Sequence, residues 1–220
     1  MITPSPWAGQ PTKQRLLEHG VRLFAEKGFR ETTVGEIEAA AGLEPRRGAL
    51  YRHYPSKEAL LEAALEQHLQ NLTDAGASLD QLPGVDLRQQ AITFGRWLLA
   101  ELDREEAIMR ILEQDGDRLP GVRDGFRERL VDPGYATIAE LVRRWLGTAS
   151  KTLARASKTM DIDALSAVLL GGLINYRRST WTFHVPPAGL DQERYLSGWA
   201  DLCFAATGAP DRRVRSSRPR

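Results

Sequence analysis

Apolar residues recur at intervals of three and four along almost the whole chain, and no stretch alternates apolar and polar positions as a half-buried strand would. The pattern predicts an all-α protein of about nine helices. From Thr12, the stripe Leu16, Leu17, Val21 and Phe24 marks a first helix that Gly28 closes. Thr33 followed by Glu36 has the spacing of a capping box, and Val34, Ile37, Ala40 and Ala41 then form the buried face of a short second helix ending at Gly42. Proline suits the first turn of a helix, so a third helix is expected to open near Pro45. Ala49, Leu50 and Tyr54 resume the period until Pro55, which pushes its preceding residue out of the helical region. Ser56 can then cap a longer fourth helix carrying Leu60, Leu61, Ala64, Leu65 and Leu69.

The rest of the chain repeats the theme at greater length. "SLDQLPGVD" reads as a linker, and Asp86 with Gln89 as another capping box ahead of Leu87, Ala91, Phe94, Leu98 and Leu102. "DGDRLPG" reads as a loop, and Pro133 suits the first position of a helix that carries Ile138, Leu141, Val142, Trp145 and Leu146. Two closing helices are expected over Asp163 to about Thr180 and Asp191 to about Thr207, separated by "HVPPAG".

Composition bounds the function without choosing it. The 220 residues can bury a sizeable core, and 42% hydrophobic with 27% charged residues is ordinary for a globular protein. A formal charge of +1 argues nothing for nucleic acid, so such a case must rest on where the basic residues stand. The single cysteine, Cys203, excludes an internal disulfide framework and a multi-cysteine metal site, and is expected as a buried core thiol. The N-terminus has no apolar signal region, and the longest apolar run, Ala167 to Ile174, is far below the ~20 residues of a membrane span. A soluble cytoplasmic protein is therefore expected, with no membrane partner. Residues 1–11 read as a flexible N-terminus, and 209–220, rich in arginine, as a disordered basic tail.

Catalytic patterns are thin. The four histidines are scattered, with His19 and His68 expected at the surface or partly packed, and no HExxH, GxSxG or phosphate-loop spacing occurs. No enzyme activity, cofactor or metal is expected.

The first helix, the short second helix, a turn and a third helix have instead the proportions of a helix-turn-helix, whose third helix enters the major groove. Arg46 and Arg47 stand where that helix is expected to begin, and arginine is the commonest reader of guanine edges. Gly48 and Ala49 are small enough for close approach to DNA. Tyr51, Arg52, His53 and Lys57 can donate to phosphates, as can Thr33 at the start of the second helix. Locally the charge is favourable: Glu44 to Lys57 carries +3, whereas residues 1–68 carry nine charges of each sign.

Phe24-Ala25, Gly28-Phe29, Thr32-Thr33, Ile37, Ala41-Gly42, Gly48, Leu50-Tyr51, Tyr54 and Ser56-Lys57 together make Thr12 to about Leu65 resemble the DNA-binding domain of the TetR/AcrR family of transcriptional regulators. The resemblance implies base contacts from the start of the third helix and phosphate contacts from Thr33, Tyr51, His53 and Lys57. It also implies a homodimer on double-stranded, palindromic operator DNA. One departure is visible: the turn after Gly42, "LEPRR", is two residues longer than is common in the family. Residues 12–68 are accordingly expected to form the DNA-binding domain, and 69–208 a helical ligand-binding and dimerisation domain.

For that second domain the family implies an internal small-molecule site and a dimer made by the last two helices. Phe94, Trp97, Met109, Phe126, Trp145, Tyr176 and Trp181 are the large apolar side chains that such a pocket needs, with Arg96, Glu101, Arg110 and Asn175 as candidate polar anchors. Leu165, Leu169, Gly172, Leu173, Tyr195, Trp199 and Leu202 are the candidate dimer contacts. The expected function is a transcriptional repressor released from its operator by a small effector. The alternative is a constitutive or architectural DNA-binding dimer without a ligand.

Overall fold

The computed structural model describes residues 10–76, 87–147 and 161–207. Among them the backbone is helical, with no strand. The order is α1 (Thr12–Lys27), α2 (Val34–Ala40), α3 (Lys57–Gly76), α4 (Leu87–Asp115), α5 (Pro120–Phe126), α6 (Asp132–Gly147), α7 (Ile162–Phe183) and α8 (Gln192–Thr207). Short 3-10 turns stand at Gly116–Arg118 and Pro187–Gly189, and one π turn, Arg127–Val131, joins α5 to α6. The linker over 78–86 with its Asp86 cap, most of the N-terminal segment and the basic tail lie outside the described residues.

The helix ends follow local chemistry. Thr33 caps α2 with its side chain accepting from the Glu36 N–H, while the Glu36 carboxylate accepts from the Thr33 N–H, completing the capping box. The other end of α2 is a Schellman motif: Gly42 has φ 71°, its N–H donates to Ala39 O at 3.0 Å, and Leu43 N donates to Glu38 O at 2.9 Å. Ser56 caps α3 through a 3.1 Å bond from Ala59 N, and Asp161 caps α7 through Ala164 N. Pro133 sits in the first turn of α6.

The described chain divides into two compact units, one of residues up to Ala75 with Arg104–Leu130, the other of Gly76–Asp103 with the residues from Val131 onward. The first therefore takes in the end of α4 and all of α5, which lie beyond residue 68. Its core joins Leu16, Phe24, Ile37, Leu50, Leu60 and Leu61 to Ile111, Leu119 and Val122. The α1–α2 corner is tied down by polar bonds: Thr32 Oγ1 donates to Gly28 O at 2.9 Å, and Phe29 N donates to Asp115 Oδ2 at 2.9 Å. His68, expected at the surface or partly packed, is buried, its Nε2 3.3 Å from Glu105 Oε1.

In the second unit α6, α7 and α8 pack against one another and against the first part of α4. Trp145, Leu169, Leu173, Leu196, Trp199 and Cys203 fill this core. A Cβ on Gly95 would stand 2.6 Å from Leu196 Cδ2, so any side chain there would require Leu196 to move. Burial pushes the Cys203 thiol up to about 12, as expected of a core thiol. Among the described residues no helix is long and apolar enough to cross a membrane.

Candidate nucleic-acid interface

The stretch between α2 and α3 carries the densest basic cluster in the first unit, and its backbone corrects one expectation. No helix opens at Pro45. Leu43 to Ala49 is a series of turns, with Arg46 at φ 62° and Gly48 at φ 68°, both incompatible with a right-handed helix. Helical bonding appears only over Leu50–Tyr54, where His53 N and Tyr54 N both donate to Leu50 O at 2.9 Å. The segment is thus a turn followed by a single helical coil, with left-handed conformations at Arg46 and Gly48 in place of an earlier helix start.

What holds the turn is Glu38, a residue that sequence reasoning passed over. Its side chain is fully buried; Oε2 accepts from Arg46 N at 2.7 Å and Oε1 from Leu50 N at 3.0 Å. A signal was present. Glu38 follows Val34 by four residues and precedes Ala41 by three, which puts a carboxylate on the apolar face of α2. A charge there requires strong donors, and the two backbone amides supply them.

The expected DNA contacts separate into three groups. Arg46, Arg47, Tyr51, Arg52 and His53 are exposed, with Tyr51 59% accessible. The Arg46 side chain lies across the start of α2, where a Cβ on Gly35 would be 3.5 Å from its Cγ. Arg47 projects into solvent, 70% exposed, with its guanidinium 3.0 Å from Glu44 Oε1. Gly48 is half-buried, and a Cβ there would meet nothing within 4 Å, so its positive φ is what requires glycine.

The second group faces inward. Ala49 is 5% exposed and packs in the first unit, so it offers no surface to DNA. The third is committed elsewhere. Lys57 Nζ donates to Phe29 O at 2.7 Å and Thr32 O at 2.8 Å and lies 4.5 Å from the Phe29 ring centroid. Burial holds its ammonium below the ordinary lysine range. Thr33 is exposed, yet its hydroxyl donates to Glu36 Oε2 at 3.0 Å while accepting the Glu36 N–H. Bonds from the Lys27 ammonium first, and then from Thr33, hold the Glu36 carboxyl down to about 2. A full negative charge therefore persists beside Thr33 at neutral pH.

The candidates in the second half also redistribute. Phe94, Trp97, Trp145, Tyr176 and Trp181 belong to the second unit's core or pack on it, whereas Met109 and Phe126 belong to the first unit. Of the polar anchors, Glu101 is buried; Arg96, Arg110 and Asn175 are exposed, with Arg96 paired to Glu193 and Arg110 to Glu106. Trp97 Nε1 is a buried donor without a partner among the described residues.

Among the dimer candidates, Leu169, Leu173 and Trp199 are at most 5% exposed and face their own core. Leu165 is partly buried against that core, and the Tyr195 hydroxyl donates to Gly172 O at 2.6 Å, turning both residues inward. Leu202, 52% exposed, is the member of the set that faces out. The outward face of the two last helices is instead Ala164, Ala167, Val168 and Gly171 with Gly198, Leu202 and Ala205. Period alone does not say which side of a helix with two apolar faces meets its own core.

Parts of the chain match known proteins. Residues 16–64 match the family model described as bacterial regulatory proteins, tetR family. An HTH-type transcriptional regulator of Bacillus subtilis, YvkB, itself uncharacterised, is 34% identical over 102 residues, 46% of this chain and 51% of that protein. The HTH-type transcriptional repressor KstR2 of Rhodococcus jostii is 42% identical over 60 residues, 27% of this chain and 28% of its own. The matches thus span about half, or less, of these relatives' length. The fold as a whole resembles a crystal structure of a TetR-like transcriptional regulator from Rhodococcus sp. RHA1, with a TM-score of 0.62 at 18% identity, covering 90% of this chain and 97% of that one.

Proposed function

We propose that this chain, whose residues 16–64 match the tetR family of bacterial regulatory proteins, is a cytoplasmic repressor that binds a palindromic operator as a homodimer. The observation that carries this reading is the exposed set Arg46, Arg47, Tyr51, Arg52 and His53, presented on a turn that a buried carboxylate pins to α2. Arginines on a rigid support suit base edges and phosphates, because contacts made without ordering a loop lose less entropy on binding. Arg47, which points away from the protein, reads a base; Arg46 and Arg52 contact the phosphate backbone.

Dimerisation is assigned to the outward face of α7 and α8. Val168 and Leu202 are large apolar side chains left 65% and 52% exposed. A Cβ on Gly171 or Gly198 would meet nothing within 4 Å, so no contact within the described subunit calls for these glycines. Each weakens its helix by roughly 0.5–1 kcal/mol relative to alanine, a cost that close approach of a second subunit offsets.

The effector reading rests on Trp97. A buried N–H without an acceptor costs about 1–3 kcal/mol, and a ligand carrying an acceptor oxygen recovers it. Such a ligand releases DNA if it favours a conformer whose two readers are misspaced for major grooves ~34 Å apart.

Selection from a random duplex pool tests the reading. Enrichment of a palindrome is expected, and no enrichment overturns it. An enriched site that stays bound across a broad effector panel points instead to a constitutive DNA-binding dimer.

A further inference from the structure

We infer that Glu38 is the positioning residue that sets sequence preference, acting through Arg47; the inference rests on the DNA-binding reading above. Glu38 touches no exposed surface. Its two carboxylate oxygens take the amides of Arg46 and Leu50, and its own backbone oxygen takes that of Leu43. Arg47 and Gly48 therefore stand inside a five-residue segment clamped at both ends by one side chain.

Three features separate this clamp from ordinary core packing. An apolar residue at position 38 would continue the face that Ile37 and Ala41 already bury, without desolvating a charge. The bond to Arg46 N is the shorter of the two and holds a non-glycine residue at φ 62°, a conformation that a free turn would leave. The clamped segment contributes Ala49 and Leu50 to the core but keeps both arginines outside it. The carboxylate thus fixes where the arginine Cα atoms sit, and with them the groove direction of Arg47. This is how the longer turn remains a defined reader: the added length is closed by Glu38 rather than left as slack.

The test measures the ratio of affinities for the selected operator and for a scrambled duplex, in wild type, Glu38→Gln and Glu38→Ala. An amide has one acceptor oxygen, so Gln keeps at most one amide of the pair, and Ala keeps neither. The expected ratio falls about tenfold for Ala, within the discrimination of one good base contact, and by less for Gln, with non-specific binding and its salt slope unchanged. Partial unfolding would lower both affinities together and leave the ratio untouched, so an unchanged ratio overturns the inference. Amide exchange of the free wild-type protein is the second measurement. Arg46 N–H, on an exposed turn, is expected to be protected in wild type and unprotected in Glu38→Ala, and a fast-exchanging wild-type Arg46 overturns the clamp. Wild type that enriches no sequence overturns the DNA-binding reading instead, a result distinct from either of these.

Discussion

The Lys57 ammonium donates to the carbonyl oxygens of Phe29 and Thr32, 2.7 Å and 2.8 Å away, and so ties the start of α3 to the corner between α1 and α2. Two of its three N–H donors are spent inside the protein, leaving one for a phosphate. Lys57→Met keeps the stem but removes both bonds. The expected outcome is a loss of about 2 kcal/mol in urea unfolding of the free protein, since hydrogen bonds to charged groups are worth about 1.5–3 kcal/mol each and this site is half-open to solvent. Unchanged stability with a salt slope for DNA lower by about one would assign Lys57 to phosphate alone.

Glu36 gives a pH signature. Its folded-state value of about 2 lies below its ordinary 4.5, so the unfolded chain takes up the proton first as pH falls. The stability it contributes is complete above 4.5 and is lost as pH falls through that value towards about 2. Glu36→Gln should therefore show a flatter acid limb across that window in urea titrations at successive pH values. Superimposable limbs would contradict the assignment.

The two faces of α7 should respond differently. Val168→Asp alters the outward face and is expected to shift a dimer towards monomer in sedimentation equilibrium, with the melting of the helices unchanged. Leu173→Ala hollows the core and should cost about 2–5 kcal/mol in unfolding. A dimer indifferent to Val168→Asp removes this face as the interface.

On DNA, Arg47→Ala should cost about 1–3 kcal/mol and relax preference at one operator position. Arg52→Ala should weaken all sequences alike and lower the salt slope by about one. Exchanged behaviour of the two variants would reverse their roles.

Much of the first unit was legible because its signals are local. A capping box needs only Thr33 and Glu36 at the right spacing, a Schellman ending needs Gly42, and Ser56 caps the helix that directly follows it. The basic cluster was legible as well, since Arg46, Arg47 and Arg52 are neighbours in sequence. The backbone between Gly42 and Leu50 was not. Its course depends on Glu38, eight residues before Arg46 and twelve before Leu50, whose carboxylate is available only once α2 is packed.

The same limit applies to function-bearing side chains. Lys57 and Thr33 have the chemistry of phosphate donors, but whether a donor is free depends on what tertiary contact brings to it, here Phe29 O, Thr32 O and the Glu36 carboxylate. In the second unit the period announced α7 and α8, while the side chains assigned to the dimer, Leu202 excepted, face inward. By itself the sequence determined the helical class, most helix ends and the location of the basic cluster, because these follow from spacing and from bonds within a few residues. Only the tertiary structure decided the shape of the turn, which donors remain open and which helix face is left uncovered, because each depends on groups that are distant along the chain and meet only when the core closes.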